Sequence, residues 1–253
     1  MKKKNKPLFY RMCYRLIKFF YLKYEVVGQV KKPGSVIVAN HAQVHGPLGY
    51  YFYFPGKKKI WVIGEMFNRK EVTEYAMEDF WRHKSKYTKW LYKLFSITIF
   101  APIGSYLFNA ADTIPVYKDG RLRLTIRKTI ETLDEEKNVI IFPEYREPYN
   151  DIVNKFQLHF VDAVKSYKKK TGRNLYFYPT YICRDLKKIL IGEPILFDEH
   201  NNIEDERNRI ISYLQDEITN LALTLPRHQV IPYVNNKKKN RKYSKEWCYE
   251  NYI

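Results

Sequence analysis

Two short runs, Ser35–Ala39 and Asn138–Phe142, most constrain the folds open to this chain. Each is apolar at nearly every position, so neither has a polar face to turn to water. Strands of that kind are covered on both sides, as the inner strands of a parallel sheet are. The stretches between such runs read differently. Residues 120–136 place Leu122, Ile126, Ile130 and Leu133 on one stripe. Residues 204–223 do the same with Ile210, Ile211, Leu214, Ile218 and Leu221. That spacing predicts helices with one buried face. Further strands are expected at Val26–Val30, Ile60–Gly64, Thr113–Tyr117, Leu175–Cys183 and Lys188–Ile191. A helix is expected over 152–170, and a partly helical stretch over 68–90. Strands alternating with helices imply an α/β fold, a single domain with a mixed, largely parallel central sheet flanked by helices. A length of 253 residues suits that reading.

The N-terminus adds a separate element. Residues 7–24 carry Leu8, Phe9, Met12, Cys13, Leu16, Ile17 and Phe20 at helical spacing, with Arg11, Arg15 and Lys18 on the other side. Residues 1–24 therefore read as a basic amphipathic helix suited to a membrane interface. The α/β domain follows over 25–234, and a basic tail over 235–253. Leu94–Ala111 lacks any charge and is just long enough to cross a bilayer. Pro102, Gly104 and Asn109 interrupt it, so a helix with a bend is expected, either in the core or dipping into one leaflet. No cleavable leader is expected, because Arg11, Arg15 and Lys18 break the apolar stretch such a leader needs. The formal charge of +18 calls for an anionic partner. The basic residues are scattered and no nucleic-acid-binding motif is present, so an anionic membrane surface is expected rather than nucleic acid. Three cysteines, Cys13, Cys183 and Cys248, form no metal or redox spacing and read as reduced thiols. The wealth of Lys, Ile, Tyr and Asn is the composition expected of an AT-rich bacterial genome.

Candidate chemistry sits at the ends of the apolar runs, where open α/β sheets place ligands. Ala39 leads into Asn40-His41-Ala42-Gln43-Val44-His45-Gly46-Pro47, and a histidine there can be a general base, since the unperturbed imidazole pKa lies near neutrality. Phe142-Pro143-Glu144 puts a carboxylate just past the second run, with Arg146 beyond it. Lys118 and Arg121 follow the strand at Thr113–Tyr117, where cations before a helix start suit a phosphate. Turn charges of that kind are as often simply solvated. His41 and His45, four apart, would share a helix face and could chelate a metal with a third ligand such as Glu144, but a helical metal pair usually carries a glutamate inside it. No metal is expected.

Together these segments resemble the glycerolipid acyltransferase family that includes bacterial 1-acylglycerol-3-phosphate acyltransferases. Asn40-His41 is similar to that family's Asn-His-x4-Asp, Ile114–Lys118 to its second block, and Phe142-Pro143-Glu144 to its Phe-Pro-Glu-Gly-x-Arg. Tyr178-Pro179-Thr180 resembles a fourth block, and Gly192-Glu193-Pro194-Ile195 a later turn. The order agrees over roughly 25–200. Two departures stand out. Gly46 occupies the place of the motif aspartate, and Tyr145-Arg146 replaces the Gly-x-Arg end of the third block.

The resemblance implies acyl transfer from a thioester, either acyl-CoA or acyl-carrier protein, to the hydroxyl of a lysophospholipid, with 1-acylglycerol-3-phosphate the default. It implies His41 and Glu144 as catalytic residues, and Asn40, His45, Lys118, Arg121, Phe142, Pro143 and Arg146 as substrate-binding ones. No bound cofactor is implied, and the place of action is the cytoplasmic face of the cell membrane, peripheral or monotopic. Without the aspartate, three acids could replace it, Asp112, Asp119 or Glu144. His45 could also orient the ring, or the chain could be a catalytically impaired lipid-binding protein on the same scaffold.

Overall fold

The computed structural model describes residues 6–78, 80–82, 84–117, 119–145, 152–233 and 242–244. In chain order its elements are α1 (Leu8–Phe20), β1 (Glu25–Val27), β2 (Val36–Ala39), α2 (His45–Tyr53), β3 (Lys58–Ile63), α3 (Arg69–Glu78), α4 (Lys89–Phe95), α5 (Ala101–Ala110), β4 (Thr113–Val116), α6 (Leu122–Asp134), β5 (Asn138–Ile141), α7 (Ala163–Thr171), β6 (Tyr176–Cys183), β7 (Lys188–Ile191), β8 (Ile195–Leu196), α8 (Ile203–Thr224), β9 (Gln229–Val230) and β10 (Lys242–Tyr243). They fall into two compact units. One comprises Leu22–Ile60 and Ile126–Ile253, the other Met1–Tyr21 and Trp61–Thr125.

Eight strands form one mixed sheet in the order β1-β7-β6-β2-β5-β3-β4, with β8 beside β6. β2 runs parallel to β5 and to β6, and β3 runs parallel to β5. β7 and β8 return antiparallel to β6. The expected α/β class with a largely parallel sheet is what forms. The two apolar runs are its centre: all four residues of β2 and all four of β5 are buried. Such burial stabilises by ~1.5–3 kcal/mol for each large aliphatic side chain. α8 packs on β6 through Ile210, Ile211, Leu214, Ile218 and Ala222. Its start is set locally, since the Asn202 side chain accepts from the Glu204 N–H and three acids fill the first turn.

One expected helix is shorter than its periodicity predicts. Of 152–170, only the part from His159 onward is helical. Residues 154–157 are extended because their backbone is bonded elsewhere. Tyr145 N donates to Lys155 O at 2.7 Å, Gln157 N donates to Pro143 O at 2.8 Å, and Phe156 bridges Glu144. Long-range pairing outweighs helical spacing there.

In the other unit, α3 and α5 enclose a small core of Met66, Val72 and Ala101, with Phe67, Tyr75, Phe100 and Phe108 around it. The uncharged stretch is a continuous helix, Lys89–Ala110, rather than a helix and a bend. A π turn at Ser96–Phe100 joins α4 to α5. It lies just before Pro102, whose ring and missing N–H an unbroken α-helical ladder could not accommodate. Among the described residues this is the one helix long and apolar enough to cross a membrane, and only 17% of its apolar window is buried. It is therefore not a core helix. The expected N-terminal helix is α1, and it buries only Tyr10. Leu8, Met12, Leu16, Phe19 and Phe20 are exposed. Phe9 meets Tyr106 of α5, ring centroids 5.6 Å apart.

Candidate active site

Strand register assembles the site. β2 and β5 are parallel with Val38 opposite Ile141. His41 and Glu144 each lie three residues beyond that pair, so both emerge side by side at the C-terminal edge of the sheet. The Glu144 carboxylate accepts the His41 backbone N–H at 2.6 Å through Oε1 and the Asn154 N–H at 3.0 Å through Oε2. Asn40 performs the matching task toward β6. Its carbonyl oxygen accepts from Ile182 N at 2.7 Å, and its amide donates to Ile182 O at 3.2 Å. Asn40 is thus turned into the fold, where it anchors the residue before the histidine.

Burial drives the Glu144 carboxyl up to about 7, although the two backbone donors pull it the other way. A buried carboxylate with two N–H donors is a structural pin. It grips the His41 backbone, whereas the motif aspartate of the resemblance would address the ring. Of the other acids considered, Asp119 is committed to Arg121 at 2.8 Å, and Asp112 bears electrostatically on Lys6.

The turn after His41 is strained. Ala42 and Gln43 both have positive φ, 45° and 55°. Such left-handed residues cost ~1–3 kcal/mol each and gather at functional sites. The turn closes as Gly46 N donates to His41 O at 3.1 Å. A Cβ on Gly46 would lie 2.2 Å from that oxygen and 3.1 Å from the Phe142 ring. The residue that departs from the motif is therefore the one this turn requires.

The imidazole of His41 is half-buried, with Nδ1 shut away from solvent. The ring makes T-shaped contacts with Phe142, centroids 5.3 Å apart, and with Tyr233, 4.5 Å apart. Phe142 in turn packs on Tyr50, whose hydroxyl donates to Thr180 Oγ1 at 2.6 Å. Pro143 is buried and its carbonyl accepts from the Gln157 N–H. His45 opens α2, half-buried, and desolvation followed by the charge of Arg184 favours its neutral form. Tyr233 is the residue that sequence reasoning missed. It lies 192 positions from His41, at no strand end and in no recognisable motif.

Arg121 belongs to the unit built from Trp61–Thr125. Its guanidinium is forked onto Asp119, lies 3.9 Å from Glu71 and stacks 4.1 Å over the Tyr117 ring. Lys118 and Arg146 lie outside the described residues. Among the described residues no group of three or more His, Cys, Asp or Glu is placed to hold a metal ion. A groove of about 650 Å³ runs past Pro194–Asn201, Arg209 and Tyr213, and none of the site residues around His41 lines it.

No family model matches the sequence, and no curated protein matches it. Among solved structures the chain is similar to the 1-acyl-sn-glycerophosphate (LPA) acyltransferase, PlsC, from Thermotoga maritima. The identity is 16%, the likeness covers 87% of this chain and 84% of that one, and the TM-score is 0.44. A likeness of that size says nothing about activity, so the reading below rests on the residues themselves.

Proposed function

We propose that this protein is an acyltransferase that moves a fatty acyl group from a thioester to the hydroxyl of a lysophospholipid at a membrane surface. One observation carries the reading. The register of two buried parallel strands puts a half-exposed imidazole beside the Phe-Pro-Glu turn, with Glu144 gripping the histidine backbone at 2.6 Å. Such a placement suits a general base, which needs a ring held at a strand edge where open α/β sheets place ligands.

In this reading Nε2 of His41 takes the proton as the acceptor oxygen attacks the thioester carbonyl. The tetrahedral intermediate collapses, the C–S bond breaks, and the thiolate regains a proton from the imidazolium. Acyl-CoA or acyl-carrier protein is the donor, and 1-acylglycerol-3-phosphate the default acceptor. In this reading Phe142, edge-on to the base, Pro143, Asn40 and His45 serve substrate binding, and Arg146, two positions after Glu144, is the cation for the acceptor phosphate. Membrane association at the cytoplasmic face fits the exposed apolar side chains of α1 and of Lys89–Ala110, combined with the net charge of +18.

Gly46 in place of the motif aspartate favours a second reading, a lipid-binding protein with impaired catalysis. In serine proteases, losing the carboxylate that orients the histidine costs ~10⁴ in turnover. One experiment separates the two. Purified protein is mixed with acyl-CoA or acyl-carrier protein and lysophosphatidic acid in anionic vesicles. Transfer by the natural chain that vanishes in His41→Ala is expected. Equal turnover in the two chains rejects His41 as the base, and vesicle binding without turnover by the natural chain establishes the second reading.

A further inference from the structure

We infer that Tyr233 is a positioning residue for His41, a role that rests on the acyltransferase reading only for its effect on turnover. The contact itself is independent of that reading. Tyr233 stands 4.5 Å from the imidazole at an interplanar angle of 77°, and Phe142 stands 5.3 Å away at 63°. With the phenol ring that close, the imidazole cannot flip about its Cβ–Cγ bond without displacing it. Two edge-to-face contacts therefore hold the plane of the base, a task that the motif aspartate would perform by hydrogen bonding.

Tyr233 is held there by construction. It lies on a strap that starts at Pro226 and runs past His228. His228 Nε2 is bonded to the Tyr181 hydroxyl at 2.8 Å, and its Nδ1 lies 2.8 Å from Pro226 O and 3.2 Å from Ser244 Oγ. Gln229 N donates to Asp185 Oδ2 at 2.9 Å, and Gln229 and Val230 pair with Tyr243 and Lys242. Tyr181 lies near the C-terminal end of β6 and Asp185 in the turn just beyond it. Because β6 is parallel to β2, that end shares its sheet edge with His41. The strap is thus anchored next to the base, and His228, Tyr181 and Ser244 are buried. The anchoring accounts for a buried histidine–tyrosine–serine cluster that no catalytic step uses.

The test compares Tyr233→Ala and Tyr233→Phe with the natural chain by two readouts. The first is the NMR signal of the His41 ring, identified by its loss in His41→Ala. It should be single and sharp in the natural chain and in Tyr233→Phe, and broadened or split in Tyr233→Ala. The second is steady-state acyl transfer. Tyr233→Ala should lower kcat roughly tenfold, the scale of one aromatic pair, with KM changed less than about twofold. Tyr233→Phe should restore it to within about threefold. An unchanged ring signal in Tyr233→Ala overturns the role. A broadened signal in protein that transfers no acyl group upholds the role and overturns the acyltransferase reading instead.

Discussion

Glu144 and Gly46 act on His41 through its backbone, and each makes a prediction at the scale of one residue. The Glu144 carboxyl sits at about 7 when folded, against 4.5 without its surroundings, because burial disfavours its charge. The folded state then binds the proton more tightly than the unfolded chain. This group's contribution is favourable below pH ~4.5 and is lost as pH rises through ~7, to a total of ~3 kcal/mol. Thermal midpoints of the natural chain should fall from pH 5 to pH 8 more steeply than those of Glu144→Gln. Parallel curves would show that the carboxyl does not titrate there. Gly46→Asp tests the turn. On the motif alone the added carboxylate should raise activity. In this fold its Cβ meets the His41 carbonyl at 2.2 Å, so the turn has to open. A loss of ~1–3 kcal/mol in stability, with lower activity, is expected from chemical denaturation and turnover. Unchanged stability with a gain in activity would refute that account.

At the scale of elements, the helices divide by what they bury. α8 hides a full stripe against β6, and its stability comes from that packing. α1 hides one tyrosine, and Lys89–Ala110 hides little more. A helix of 13 residues is marginal alone in water, so its exposed apolar face needs another medium. Leu16 is 58% exposed and Phe19 is 81% exposed. Changing both to Glu should weaken binding to anionic vesicles at least tenfold, since each buried side chain is worth ~1.5–3 kcal/mol. The thermal midpoint should not move, because neither side chain packs inside. Undiminished flotation with vesicles would remove α1 from the membrane contact. The 152–157 segment shows the opposite balance. Its spacing favours a helix, yet pairing with Pro143–Tyr145 holds it extended and closes a bond on Glu144.

Across the molecule, charge and sheet order set different things. The +18 charge bears on partners and says nothing about strand order. Sheet order brings His41 and Glu144 together although they lie 103 positions apart in the chain. By itself the sequence determined which segments had to be buried and which could face another medium. SVIVA and NVIIF admit no half-solvated strand, and Leu8–Phe20 admits no fully buried helix. It also placed His41 and Glu144 at strand ends, since chemistry-bearing residues directly follow the two apolar runs. Only the tertiary structure decided what those residues touch. A one-residue slip in the pairing of β2 with β5 would part His41 from Glu144, and no local pattern encodes that register. Nor does any local pattern bring Tyr233 to the imidazole, because a ring contact between distant segments depends on the packing of the strap at the end of β6.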